Sequence, residues 1–248
     1  MDLKSIKKRK HNGGNWRNEK LIMLDTLFNS FDNIIVFDVE TTGLDCKQDE
    51  IIEIAAIQLA EGQDAPAVVH EIDTLVKMTP GRSLPGKITE ITGITERQLT
   101  TNGIHKNEAC AKLVCLLHCQ NPLIAAYNAQ FDLNFLYHFL SRFGEEGVLK
   151  NAKFLDVLTI YKDRRAYPHK LSDAAVMYSL DDANAHRALV DTKMTYNLLC
   201  EMWKESDDLA HYINLFGYNP KYGVSGQRIS SIRYMPQSYD AVKKLYET

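Results

Sequence analysis

Apolar residues fall along this chain in runs of two kinds. The stretches 33–39 (NIIVFDV), 50–60 (EIIEIAAIQLA) and 67–78 (AVVHEIDTLVKM) are rich in β-branched residues. Thr41-Thr42-Gly43 closes the first, and a turn-like AEGQDAP at 60–66 separates the last two. They predict three strands in succession, paired antiparallel, with a hairpin loop. Further on, the period lengthens. The run 107–119 (NEACAKLVCLLHC) has helical spacing. So does 131–144, where Phe131, Phe135, Leu136, Phe139, Leu140 and Phe143 repeat at helical intervals and Gly144 supplies a stop. Strands are expected at 122–128 (PLIAAYN) and 153–161 (KFLDVLTIY), and helices at 170–180 and 186–205. A further helix is expected within 18–31. The order βββ-α-β-α-β-α-α predicts an α/β fold, a mixed five-stranded sheet flanked by helices. Three regions follow: an N-terminal basic extension (1–31), one domain (32–206) and a C-terminal appendage (207–248) rich in Tyr and Gly, with no firm secondary structure.

Composition narrows the class. With 45% hydrophobic and 25% charged residues the chain reads as globular. No run approaches the roughly 18 apolar residues of a membrane span, and the N-terminus has no apolar signal core, so no membrane association is expected. Five cysteines in a chain of this length do not read as a disulfide framework. A reducing, cytoplasmic setting is expected. Net charge is −3, but residues 1–20 hold seven Lys or Arg against two Asp or Glu, so the rest is acidic. Such a body excludes affinity built on a broad basic surface, though not a local grip on a strand end. The KKRK run at 7–10 fits a solvated terminus, a nuclear-import signal or a phosphate-seeking arm. Cys110, Cys115 and Cys119, with His118, lack the close pairs of structural zinc sites, and the three cysteines are expected to be buried thiols.

The candidate chemistry lies in acids placed where acids are costly. Asp38 and Glu40 end an apolar strand and, two apart, share one face with Ile34 and Val36. Alone, the pair is equally compatible with a solvated strand end. Asp132, in the first turn of the Phe-rich helix, is alone a helix cap. Asp191 stands on or beside a stripe of Thr195, Leu198, Leu199 and Met202, where a carboxylate wants a partner. His186 lies five positions earlier. If the four acids converge, each pair ~4 Å apart repels by about 4 kcal/mol at an effective dielectric of 20. Hard oxygen donors then suit Mg²⁺ or Mn²⁺, and two such ions are a known device for phosphodiester chemistry.

In that order, FDVETTG (Asp38, Glu40), YNAQFDLNFL (Asp132) and HRALVDT (His186, Asp191) make the chain resemble the DEDD superfamily of DnaQ-like 3′-to-5′ exonucleases. That superfamily includes polymerase proofreading subunits, RNase T and oligoribonucleases. The segment ITGIT at 91–95 is similar to a family signature as well, and the resemblance covers about 32–203. Four residues between His186 and Asp191 match the histidine subtype. The tyrosine subtype would carry Tyr at position 187, which is Arg187. Tyr127 departs from the His that many relatives place before Asn-Ala, and altered detail at the pocket wall with retained activity is expected.

The resemblance implies an RNase H-like fold and two Mg²⁺ or Mn²⁺ ions. Asp38 would bridge both ions, Glu40 and Asp191 would complete one shell, and Asp132 would help hold the other. His186 would act as general base. Backbone amides around Thr41, Thr42 and Gly43 would approach the last nucleotide, with Asn128 lining the same pocket. Leu44 would pack on the terminal base, unless it is ordinary core. The implied activity is removal of nucleoside 5′-monophosphates from a single-stranded 3′ end, DNA ahead of RNA, in proofreading or repair. An expected protein partner is a DNA polymerase or another replication or repair protein. The alternatives are an RNase T- or oligoribonuclease-like exoribonuclease and, from another class, a catalytically silent nucleic-acid-binding or scaffold protein.

Overall fold

The computed structural model describes residues 24–63, 65–180, 187–238 and 243–248. A short helix, α1 (Asp25–Phe28), leads into β1 (Asn33–Thr41), β2 (Ile51–Ala60) and β3 (Ala67–Leu75). These three pair antiparallel, as their uninterrupted order predicts. β4 (Pro122–Ala126) and β5 (Lys153–Asp156) then add in parallel on the other side of β1. The sheet order is β3-β2-β1-β4-β5, so β1 is central and is the strand at which parallel pairing gives way to antiparallel. The mixed five-stranded sheet flanked by helices is the predicted architecture.

Alternation along β1 decides which helix meets which residue. Ile35, Phe37 and Val39 face a core shared with α4 (Lys106–Leu117) and α5 (Ala129–Ser141). Ile34 and Val36 face the opposite core, built with α6 (Val157–Arg164), α7 (Leu171–Met177) and α8 (Ala188–Glu205). Asp38 and Glu40 keep the parity of Ile34 and Val36, so they belong to the face covered by α8. β4 stays beside β1 only as far as Val36. Past that point β1 runs on without a parallel neighbour.

Two helices escape the hydrophobic pattern, α2 (Gly86–Thr92) and α3 (Glu96–Asn102). The ITGIT segment joins them. Gly93 ends α2 at φ 70°, and Thr95 starts α3 with a capping box to Gln98. The strand expected over 153–161 is corrected: it stops at Asp156 and the chain turns helical. Val157, Ile160 and Tyr161 are buried at helical spacing, and Asp156 accepts a hydrogen bond from the Thr159 hydroxyl (2.6 Å). Residues 18–23 of the expected first helix lie outside the described residues. Beyond α8, a two-stranded parallel pair forms between β6 (Leu215–Tyr218) and β7 (Arg233–Pro236). Phe216 and Ile232 enter the α4–α5 core, while Leu209, Tyr212 and Leu245 enter the other. No helix among the described residues is long and apolar enough to cross a membrane.

Candidate active site

Asp38, Glu40 and Asp191 converge at the end of β1. Each offers a carboxylate oxygen, and these oxygens lie within 4.8 Å of one another. β1 supplies the first two on one face, and the first turn of α8 supplies the third. Opposite Asp38 on β2 is Ala55, a side chain small enough to leave space beside it. The β1–β2 register slips immediately after Glu40, a kind of irregularity that re-aims side chains near functional sites.

Asp132 enters from the other face. With β4 gone, the Val39 amide lacks a ladder partner and donates instead to Asp132 Oδ1 (3.2 Å). The helix that carries Asp132 is fixed by a residue the sequence reading passed over. Asp156, at the end of β5, accepts from the Ala129 amide (3.0 Å) at the start of α5. Asn128, just before it, takes a left-handed conformation (φ 64°) and turns the chain from β4 into the helix. His186 lies outside the described residues.

Electrostatics follows from this crowding. Burial first, then Asp132, Glu40, Asp191 and Glu53, push the Asp38 carboxyl well above the carboxylate range. Glu40 is pushed up to about 8 by burial, then Asp191 and Glu53, with Arg187 pulling the other way. Asp132 is raised chiefly by burial, against the hydrogen bond from Val39. Among the described residues no hydrogen-bond donor reaches Asp38 or Glu40.

Glu53 is the second residue the sequence reading missed. It faces Glu40 across β1–β2 and is fully buried. One carboxylate oxygen accepts from Arg187 Nε (2.9 Å) and from its terminal nitrogen (2.6 Å); the other accepts from the Ala188 amide (3.0 Å). Glu53 thus pins the start of α8, three residues before Asp191. Its one visible signal was an acid inside the apolar run IIEIAAI, one strand away from Glu40.

The turn after β1 is tightly held. The Thr41 hydroxyl donates to the Gly43 carbonyl (2.6 Å) and the Thr42 hydroxyl to Asp49 (3.1 Å). The Thr42 amide donates to the Glu50 carbonyl (2.9 Å). A Cβ on Gly43 would lie 2.4 Å from an Asp49 oxygen, so a larger residue would have to displace the Asp49 carboxylate from its bonds to the Thr42 hydroxyl and the Asp45 amide. Leu44 is 87% exposed, which removes it from the core. Tyr127 packs on the α8 side, with its hydroxyl donating to the His169 carbonyl (2.9 Å). The three cysteines 110, 115 and 119 form no metal-capable group among the described residues, and burial raises the thiols of Cys110 and Cys119.

Comparison with known proteins places this geometry. The family model described as Exonuclease, of RNase T type, matches residues 35–199. The chain belongs to this exonuclease family. Its curated relatives include the PolC-type DNA polymerase III of Thermotoga petrophila, 34% identical over 67% of this chain and 12% of that one. The PolC-type enzyme of Clostridium perfringens is 31% identical over 87% of this chain and 14% of its own length. Among solved structures, a zinc-bound complex of E. coli exonuclease I with single-stranded DNA has a TM-score of 0.66 at 18% identity. It covers 73% of this chain and 42% of that one. The exonuclease I of Methylocaldum szegediense has a TM-score of 0.61 at 19% identity, over 71% of this chain and 41% of that one. The chain therefore spans a small part of the polymerases and under half of the exonucleases. These are DEDD-type 3′-to-5′ exonucleases with an RNase H-like fold. The exonuclease family depends on divalent metal, and Asp38, Glu40 and Asp191 form a carboxylate cluster of the kind that holds such an ion.

Proposed function

We propose that this chain is a metal-dependent 3′-to-5′ exonuclease acting on single-stranded nucleic acid, DNA ahead of RNA, and releasing nucleoside 5′-monophosphates. The observation that carries the reading is the convergence of Asp38, Glu40 and Asp191 at the end of β1, with no donor to Asp38 or Glu40 among the described residues. Asp38, Glu40, Asp191 and Asp132 would hold two Mg²⁺ or Mn²⁺ ions. When bound, such ions supply Lewis-acid polarisation of the phosphoryl group and neutralise charge on the attacking and leaving oxygens. The chain's own residues do the rest. His186 takes a proton from the attacking water, water oxygen bonds to phosphorus, and the 3′-oxygen of the penultimate nucleotide leaves. General base assistance of this kind is worth ~10²–10⁴ in rate.

The turn at Thr41, Thr42 and Gly43 receives the last nucleotide, with Asn128 beside it. Leu44, standing free of the core, packs on the terminal base. Stacking on flat base faces is tolerant of sequence, so little sequence preference is expected. Relatives that are DNA polymerases, and a structural neighbour solved with single-stranded DNA, favour DNA and a role in proofreading or repair beside a polymerase. The test is a time course with 5′-labelled single-stranded DNA, RNA and a mismatched primer-template, each with and without Mg²⁺. Stepwise shortening of DNA with Mg²⁺ is expected. Shortening of RNA alone would move the reading to an exoribonuclease. Binding without release of mononucleotide would replace it with a silent binding protein.

A further inference from the structure

Residues 217–236 (GYNPKYGVSGQRISSIRYMP) contain Lys221, Arg228 and Arg233 and no Asp or Glu, within a chain of net charge −3. The segment follows the stretch that the exonuclease family matches. Its ends are rooted in the core through Phe216 and Ile232. Its middle is fastened to α5. Gln130 Nε2 donates to the carbonyls of Ser225 (3.0 Å) and Gln227 (2.7 Å). The Gln227 amide donates to Asn134 Oδ1 (3.2 Å), and the Tyr234 hydroxyl donates to Gln130 Oε1 (2.6 Å). Gly226, at φ +71°, lets the backbone come this close: a Cβ would lie 3.0 Å from the Asn134 amide nitrogen. Gln130 and Asn134 lie one turn apart near the start of α5, on the side of the helix opposite Asp132. The strap is therefore tied to the end of α5 that forms the site.

What the strap displays outward is specific. Tyr222 is 75% exposed, with Lys221 Nζ 5.1 Å from its ring centroid. The Arg228 guanidinium sits 5.0 Å from the Tyr234 ring and 5.8 Å from that of Tyr218. None of the three cations forms an ion pair with a described residue. Rings beside uncommitted cations suit a polyanion whose units have flat faces. That is the chemistry of a single nucleic-acid strand, with phosphates on Lys and Arg and bases on Tyr.

We propose that the strap of residues 217–236 is a track for the single strand on the 5′ side of the nucleotide being removed. This rests on the exonuclease reading. The terminal nucleotide is held by the turn at 41–44, and the strap holds the chain behind it.

The test uses the full chain and the triple variant Lys221→Ala, Tyr222→Ala, Arg228→Ala, with circular dichroism to confirm the fold. Two substrates are compared with Mn²⁺. One is a single-stranded DNA of about 20 nucleotides, long enough to fill such a track. The other is the p-nitrophenyl ester of thymidine 5′-monophosphate, which has no upstream nucleotide. The variant is expected to raise KM for the long strand about tenfold or more, with kcat within about twofold and the ester unaffected. The salt dependence of binding should also weaken, by about 0.7 in log–log slope for each phosphate the variant no longer neutralises. An unchanged KM for the long strand, or an equal loss on the ester, would overturn the track. Fluorescence anisotropy with the same DNA and no added metal separates the two readings. If neither substrate is cleaved by the native chain yet it binds DNA more tightly than the variant, the exonuclease reading fails and the strap is left as a strand-binding surface with no nucleotide removed. Equal binding by both overturns the track.

Discussion

Two acids ten residues apart at the junction of β1 and β2, Glu50 buried and Glu40 half-buried, have opposite fates. Glu50 enters β2 and Glu40 leaves β1. Glu50 accepts from the Thr79 amide (2.9 Å) and hydroxyl (2.6 Å), and Lys106 Nζ lies 3.0 Å from it. Burial opposes its charge, but these partners outweigh burial and hold its carboxyl below the ordinary value. Glu40 has burial and other carboxylates as neighbours, and it is pushed up to about 8. Glu53, across from Glu40, is matched like Glu50, by Arg187 and the Ala188 amide. The chain can satisfy a buried acid when the acid's work is structural. Asp38 and Glu40 face Asp191 instead, with Arg187 acting on Glu40 only at a distance, and among the described residues no donor offsets their burial.

The comparison can be broken from either side. Asp38→Asn should abolish exonuclease activity, with a fall of at least ~10²–10⁴ comparable to the loss of the general base. It should leave metal-free thermal stability unchanged or raised, because it removes a repulsion. A variant that is inactive only because it unfolds would place Asp38 with the structural acids. Glu53→Gln is expected to act the other way, costing on the order of 2 kcal/mol in denaturant unfolding through its charge-assisted bonds to Arg187 and Ala188. Activity should fall less than for Asp38→Asn, since Glu53 only pins the start of α8. A Glu53→Gln protein of native stability would contradict that role.

The smallest effect concerns pH. Glu50 has its folded value below the ordinary 4.5, so its contribution is present above that value and is lost as pH falls through the folded one. Glu50→Gln should therefore flatten the acid limb of the stability profile below about pH 4.5 and leave activity near neutral pH unchanged. A variant with an identical acid limb would show that Thr79 and Lys106 do not hold Glu50 charged.

Much of the site was legible because its acids stand in a period-2 pattern on an apolar strand. Parity alone put Asp38 and Glu40 on one face, and helical spacing put Asp191 on the stripe that covers it. The anchors were not legible. Arg187 reaches Glu53 across 134 residues of sequence, and Asp156 reaches Ala129 across 27. Neither spacing leaves a local trace. The misread strand at 153–161 has a local cause: Val157, Ile160 and Tyr161 suit a strand as well as a helix, and the boundary is set by Asp156. Helices α2 and α3 are short and largely solvated, so hydrophobic period did not mark them. The punctuation in ITGIT, Gly93 and the Thr95–Gln98 box, was the available signal. Past residue 207, Phe216, Ile232 and Leu245 are too far apart to form a pattern. They find their places only against a core that is already built.

The most direct test of the central claim is calorimetric titration of Mn²⁺ into the native chain and Asp38→Asn, at about pH 6 and about pH 9. In the metal-free chain Glu40 keeps its proton up to about 8, while the unfolded chain loses it near 4.5. Folding stability therefore falls as pH rises through that window, and a cation that occupies the site must displace the proton. The native chain should bind Mn²⁺ more tightly at the higher pH and release protons at the lower. Asp38→Asn should bind at least about tenfold more weakly at both. Equal Mn²⁺ affinity in the two proteins, or none in the native chain, would contradict the account.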